Sequence, residues 1–246
     1  MNIDTPTSLT ATSGVPTRRT VDAFMRVWHV LLALSFLGAY LSADLERLRL
    51  VHVVLGYTAG GLWFLRLLWG FVGPRSARWS SLWGKLRGLG PWLATARVGQ
   101  PNWRQAQNLL LASSVALLLI TLLPVVASGY ATYMELSGEW LEDVHEFFSN
   151  LMLLAVLAHV GGVLVLSLLQ QRNLATPMLS GRVPGRGPDL VRHNLGGLAI
   201  LLLALVLIFW GWQWKAASIR RDAPDAVSSW LHPTGERSQS SDGDDD

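Results

Sequence analysis

Four histidines in or beside long apolar stretches are the side chains of this 246-residue chain best placed to do chemistry. His145 and His159 fall within one such stretch. About four helical turns separate them, so they project from nearly one face, roughly 21 Å apart along the axis. An imidazole in hydrocarbon is costly without a partner, and His29 and His52, in two other apolar stretches, stand where partners are needed. Four histidines at two depths fit two bis-histidine haem sites. Iron held by two imidazoles has no open position for oxygen or substrate, which suits electron transfer rather than bond making. Taken alone, each histidine has another explanation, a structural role hydrogen-bonded to a neighbouring helix. The haem reading rests on the two matched pairings together.

The elements that must position these rings are membrane helices. Half of the residues are hydrophobic and the mean hydropathy is positive despite two polar tails, too apolar for an ordinary soluble domain. Apolar runs near the spanning length of about 20 residues cover 24–41, 51–72, 109–129, 145–169 and 195–214. The expected fold is all-α, a four-helix transmembrane haem-binding bundle plus a fifth transmembrane helix. Its expected divisions are a disordered cytoplasmic tail (1–20), a dihaem membrane domain (21–181), a cytoplasmic linker (182–194), the extra helix (195–214) and a polar periplasmic tail (215–246).

Cysteine is absent, which excludes thiolate-held iron–sulfur clusters, covalent c-type haem and disulfides. Haem must then be b-type. The first twenty residues lack the apolar core of a cleavable signal peptide. No feature calls for nucleic acid, and no Asp or Glu sits deep in a span, which argues against a proton relay or cation transporter built on membrane carboxylates.

Charge distribution sets orientation. The stretch 73–107 holds Arg75, Arg78, Lys85, Arg87, Arg97 and Arg104 and no acid, whereas 128–143 holds Glu135, Glu139, Glu142 and Asp143 and no base. The positive-inside rule puts the first in the cytoplasm and the second outside. The amino terminus is then cytoplasmic and the carboxyl terminus periplasmic. Trp79, Trp83, Trp92 and Trp103, interleaved with the cations of 73–107, suit a helix at the headgroup level; a basic loop merely obeying topology accounts for them as well. Pro124 either kinks the third span or marks its outer end.

Depth follows from orientation. His29 and His159 fall in the inner half, His52 and His145 near the outer face, giving the pairs His29 with His159 and His52 with His145. A flat macrocycle between helices needs small neighbours, and Gly56, Gly161 and Gly162 follow candidate ligands, with Gly38, Gly60 and Gly61 on partner helices. Close helix packing uses such glycines equally well. Arg66, on the face of His52 but near the inner depth, could pair with a haem propionate or snorkel to the headgroups. Arg26 and Arg49, each three residues before a histidine, could do the same or serve as interfacial anchors. His193 and His232 have no evident partner.

These residues resemble the bacterial cytochrome b561 family, which includes the b-type cytochrome subunits of nickel–iron hydrogenases. The matching pieces are Arg26-Val-Trp-His29, His52-Val-Val-Leu-Gly56-Tyr57, Arg66-Leu-Leu-Trp69-Gly70-Phe-Val-Gly73, Val144-His145-Glu146 and His159-Val-Gly161, and the resemblance spans 18–181. It implies a four-helix bundle binding two haems b, with one ligand from each of the first two spans and two from the fourth. It also implies electron passage between membrane quinol and a partner, either a hydrogenase-like periplasmic enzyme or a soluble cytochrome. The fifth span departs from the family pattern. The expected function is therefore a dihaem b-type cytochrome of the bacterial inner membrane linking quinone or quinol to a redox partner. The rivals are an anchor subunit of a periplasmic redox enzyme and a histidine-based metal-handling protein.

Overall fold

In hydrocarbon every backbone N–H and C=O must be satisfied within its own segment, so the apolar runs fold as helices. The computed structural model describes residues 16–231 apart from 76, 101, 137 and 192, with side chains as far as 218. In chain order the helices are α1 (Ala23–Ser42), α2 (Arg49–Val72), the short α3 (Trp79–Leu86) and α4 (Leu89–Arg97), α5 (Trp103–Tyr133), α6 (Trp140–Leu169), the short α7 (Thr176–Ser180) and α8 (Gly196–Leu231). Five are long and apolar enough to cross a membrane: α1, α2, α5, α6 and the Gly196–Ser218 part of α8. The chain divides into two compact units at Leu202, the first holding the bundle and the second most of α8.

Within the first unit the helices alternate in direction, and named bonds fix each seam. Trp28 Nε1 donates to the Leu62 carbonyl at 2.7 Å, tying α1 to α2. Trp63 Nε1 donates to the Leu119 carbonyl at 2.8 Å, tying α2 to α5. Gln170 Nε2 donates to Gln107 Oε1 at 3.1 Å between α5 and α6, and the Tyr40 hydroxyl donates to Asn150 Oδ1 at 3.0 Å between α6 and α1. The four helices thus close into a ring. Their outer surface is apolar, with Phe64, Ile120 and Leu168 exposed, as a bundle in lipid requires.

Not all the glycines do the same work. A Cβ at Gly60 would lie 2.8 Å from Val126 Cγ1, and one at Gly38 2.6 Å from Leu55 Cδ1. Those two let helices approach. At Gly56, Gly61 and Gly161 a Cβ would meet no atom within 4 Å, and at Gly162 only Leu110 Cδ2 at 3.9 Å. Gly61 is also exposed on the outside of α2, which separates it from the bundle interior.

One end of the bundle carries α3, α4 and a two-stranded antiparallel ribbon, β1 (Thr17–Arg19) with β2 (Arg182–Pro184). Within the segment expected as a disordered tail, Thr17–Arg19 thus forms a strand, because it finds a ladder partner past α6. Residues 1–15 and 232–246, including His232, lie outside the described residues. The linker 182–194 is not free either: Asp189 Oδ1 accepts from the Arg19 N–H at 2.6 Å, and the Asn194 carbonyl accepts from the Ala23 N–H at 2.8 Å. The last helix runs to Leu231, past the expected boundary at 214, since the helix formers Lys215-Ala-Ala continue it. Pro124 does not mark a helix end, for α5 continues to Tyr133.

Asp22 caps α1, its Oδ1 accepting from the Met25 N–H at 2.7 Å, while its Oδ2 is buried without a partner. Burial pushes its carboxyl above the usual carboxylate range, against the opposing pull of its backbone bonds and Arg26.

Two outcomes follow from this packing. Gly60→Leu should wedge α2 from α5 and cost about 1–3 kcal/mol, seen as a lowered Tm in detergent, whereas Gly61→Ala should leave Tm unchanged. Equal effects would refute the close approach at Gly60. A carboxyl with a raised folded pKa favours folding below its unfolded pKa and loses that contribution as pH rises through the folded value. Asp22→Asn keeps a competent cap without an ionisable group, so its Tm should fall less than the parent's between acid and neutral pH; parallel pH profiles would show that Asp22 does not titrate in this way.

Candidate functional site

The structure brings His52 of α2 and His145 of α6 together, ring centroids 6.0 Å apart and ring planes nearly perpendicular at 84°. Two imidazoles bound on opposite sides of one metal, each through a metal–nitrogen bond of about 2 Å, hold their ring centres roughly 6 Å apart. The spacing fits one iron between them.

Which nitrogen faces that space is fixed by the other one. His52 Nδ1 lies 2.8 Å from the Ala39 carbonyl of α1, and His145 Nδ1 lies 3.0 Å from the Val125 carbonyl of α5. A carbonyl only accepts, so both rings carry the proton on Nδ1 and leave the Nε2 lone pair for a metal. His159 reaches the same state through a hydroxyl. Ser114 Oγ donates to the Leu111 carbonyl at 2.9 Å, so its 3.0 Å contact with His159 Nδ1 must be donated by the imidazole. Ser128 repeats the device more loosely. It donates to the Pro124 carbonyl at 2.6 Å and stands 3.3 Å from His145 Nδ1.

His29 lies within electrostatic reach of His159. The fourteen-residue spacing on α6 therefore presents two imidazoles at two levels, His145 beside α2 residue His52 and His159 toward α1 residue His29.

Space around the rings is set by α5 as much as by the glycines that follow the histidines. A Cβ at Gly129 would stand 2.8 Å from His145 Cε1 and 3.0 Å from its Nδ1, so only glycine there lets the ring lie against α5. Gly56 and Gly162 are half-buried and leave room where a planar group between the helices would run.

Arg66 is 7% exposed in the last third of the apolar helix α2, and its Nη1 is buried with no hydrogen-bond partner. Its guanidinium carbon lies 5.3 Å from the ring centre of Trp79, which is held in place by a 3.0 Å bond from its Nε1 to the Leu67 carbonyl. The guanidinium is folded under an indole rather than left exposed. A buried cation with an unpaired N–H suits an anion such as a haem propionate.

The other two candidate arginines are placed differently. Arg26 donates from Nη1 to the Leu179 carbonyl at 2.8 Å, latching α7 onto α1. Arg49 is exposed at the start of α2, and His193 is exposed as well. Sequence reasoning missed Gly129, Ser114, Ser128 and the site role of Trp79. The small residues Ser128-Gly129 near the end of a long apolar run were the available signal.

No curated relative and no solved structure matches the chain. The family model for prokaryotic cytochrome b561 matches residues 20–181, well over half of the chain and inclusive of all four histidines. With that match, the chain belongs to the prokaryotic cytochrome b561 family, membrane b-type cytochromes that work in electron transfer.

Proposed function

We propose that the chain holds two haems b, one between His52 and His145 and one between His29 and His159, and passes electrons across the bacterial inner membrane. Quinone or quinol is its small-molecule partner, and a hydrogenase-like enzyme or a soluble cytochrome its protein partner. The observation that carries this reading is the His52/His145 pair, 6.0 Å apart with each Nδ1 committed to a backbone carbonyl. Bound haem supplies a one-electron iron couple without an open coordination position. The chain's residues fix ring orientation and the basicity of Nε2, and they exclude water.

The arginine-rich segment 73–107 supports a cytoplasmic ribbon end, and with it a cytoplasmic amino terminus and a periplasmic carboxyl terminus. His29, His159 and Arg66 then serve an inner haem, and His52 and His145 an outer one. Gly56 and Gly162 line the macrocycles. A bare-metal site fits less well: among the described residues no group of three or more His, Cys, Asp or Glu gathers, whereas zinc usually takes four ligands.

A reduced-minus-oxidised spectrum of the purified protein tests the reading, since neither an inert anchor nor a zinc or copper carrier gives a low-spin b-type signal. His29→Ala and His159→Ala should lose one spectral component, and His52→Ala and His145→Ala the other, each leaving about half of the haem. Loss of a single shared component by His29→Ala and His145→Ala would overturn the pairing. Arg66→Leu removes a positive charge that favours the electron-rich reduced iron. It should lower the midpoint potential of the component lost in His29→Ala by about 60 mV, a tenfold change in a one-electron equilibrium, and the other by much less; equal shifts in redox titration would remove Arg66 from the inner site.

A further inference from the structure

At the ribbon end of α6 the chain folds back on the helix it has just left. Gln171 takes the left-handed conformation, φ 50°, and the Arg172 N–H donates to the Ser167 carbonyl at 3.1 Å, a common helix stop. Ser167 Oγ donates to the Val163 carbonyl at 2.6 Å and accepts from the Leu174 N–H at 3.0 Å, which holds the returning chain against the last turns. Helix and returning chain wall a cleft of about 530 Å³. Its side along α6 is apolar, with Val163, Leu164 and Leu168, and its rim is polar, with Gln171, Arg172 and Asn173.

The two sides call for an occupant with two chemistries. Leu164 and Leu168 are 59% and 71% exposed on a helix long and apolar enough to cross a membrane, so that side meets hydrocarbon. At 30 residues, or about 45 Å, α6 outruns a hydrocarbon core of about 30 Å, and the turn after it stands among headgroups. There Arg172 is exposed, and its guanidinium makes no hydrogen bond or ion pair among the described residues. The sequence around it supplies no counter-ion: 147–188 contains no Asp or Glu, and Asp189 accepts from the Arg19 N–H. Gln171 Nε2 is committed to the Leu168 carbonyl at 2.9 Å, and Asn173 Oδ1 to the Ala175 N–H at 2.8 Å, which leaves the Asn173 amide nitrogen as a donor beside Arg172. A cation and an amide donor above an apolar wall match a phosphate that carries an acyl chain. A soluble phosphate has no use for the apolar wall.

We propose that this cleft binds an anionic phospholipid, its phosphate on the Arg172 guanidinium and the Asn173 amide and one acyl chain along Val163, Leu164 and Leu168. An acyl chain gains little by leaving bulk lipid for an apolar helix face, so the preference lies in the headgroup. A zwitterionic lipid brings its own cation to the phosphate, whereas a net negative one keeps its charge for Arg172. One such cation near a bilayer surface gives a preference of about fivefold. The site uses none of the four histidines and does not depend on the electron-transfer reading.

The test uses the full chain in dodecyl maltoside, titrated with phosphatidylglycerol carrying a diazirine on one acyl chain. Photolabelling, mapped by mass spectrometry, should saturate on the peptide covering 163–173. Unlabelled phosphatidylglycerol should compete about fivefold better than phosphatidylcholine of the same chains. Arg172→Gln should remove that difference between the two competitors, while Arg186→Gln, outside the cleft, should keep it. Saturation and competition on the parent protein decide the site even if Arg172→Gln folds poorly. Label that saturates elsewhere or not at all, equal competition by the two lipids on the parent, or a preference that survives Arg172→Gln overturns the site. Displacement of the label by inorganic phosphate at constant ionic strength would show a soluble-anion site instead, and overturns it too.

Discussion

An imidazole inside a membrane has two nitrogens to satisfy, and the arrangement of this bundle depends on how that demand is divided. One nitrogen is given to the protein: Ala39, Val125 and Ser114 take the Nδ1 protons of His52, His145 and His159. The second then faces the space between helices. Each acceptor lies on a different helix from its histidine, so the bond that fixes the tautomer also fixes the seam. Ring orientation and helix register are one constraint, and a slip of either helix by a residue breaks both.

The same economy extends to α5, which contributes none of the four histidines yet shapes the space around two of them. Gly129 admits the His145 ring, Ser128 and Val125 meet its Nδ1, and one helical stretch further in Ser114 meets His159. Pro124 sits among these residues and cannot donate an N–H. The Ser128 hydroxyl turns back onto its carbonyl, a local bond of the kind that competes with regular helix geometry. A helix without a ligand can thus be as specific to the site as those that carry one.

The spans and the four histidines were legible in sequence because each is a rare event against a uniform background. A polar ring in an apolar run stands out, and so does an uninterrupted apolar run. The acceptors were not legible. Backbone carbonyls have no sequence signature, and Ser114 and Ser128 are common residues whose roles exist only once α5 lies on α6. Trp79 read as one of several interfacial tryptophans, although the structure folds it under Arg66. The ribbon was hidden for a related reason: strands of three residues, paired across the whole domain, leave no periodicity.

That ribbon governs the order of assembly during synthesis. Thr17 pairs with Pro184, so β1 leaves the ribosome early and has no partner until α1 through α7 have followed. At translation rates of 5–20 residues per second that wait is roughly ten to thirty seconds. Helices α1 and α2 can insert and pair as a hairpin within that interval, followed by α5 and α6. The Arg26 latch on Leu179 and the ladder beside it can form only after all four helices of the ring have been synthesised. The ribbon is a clasp that closes late, after the four spans it joins and before α8 is made.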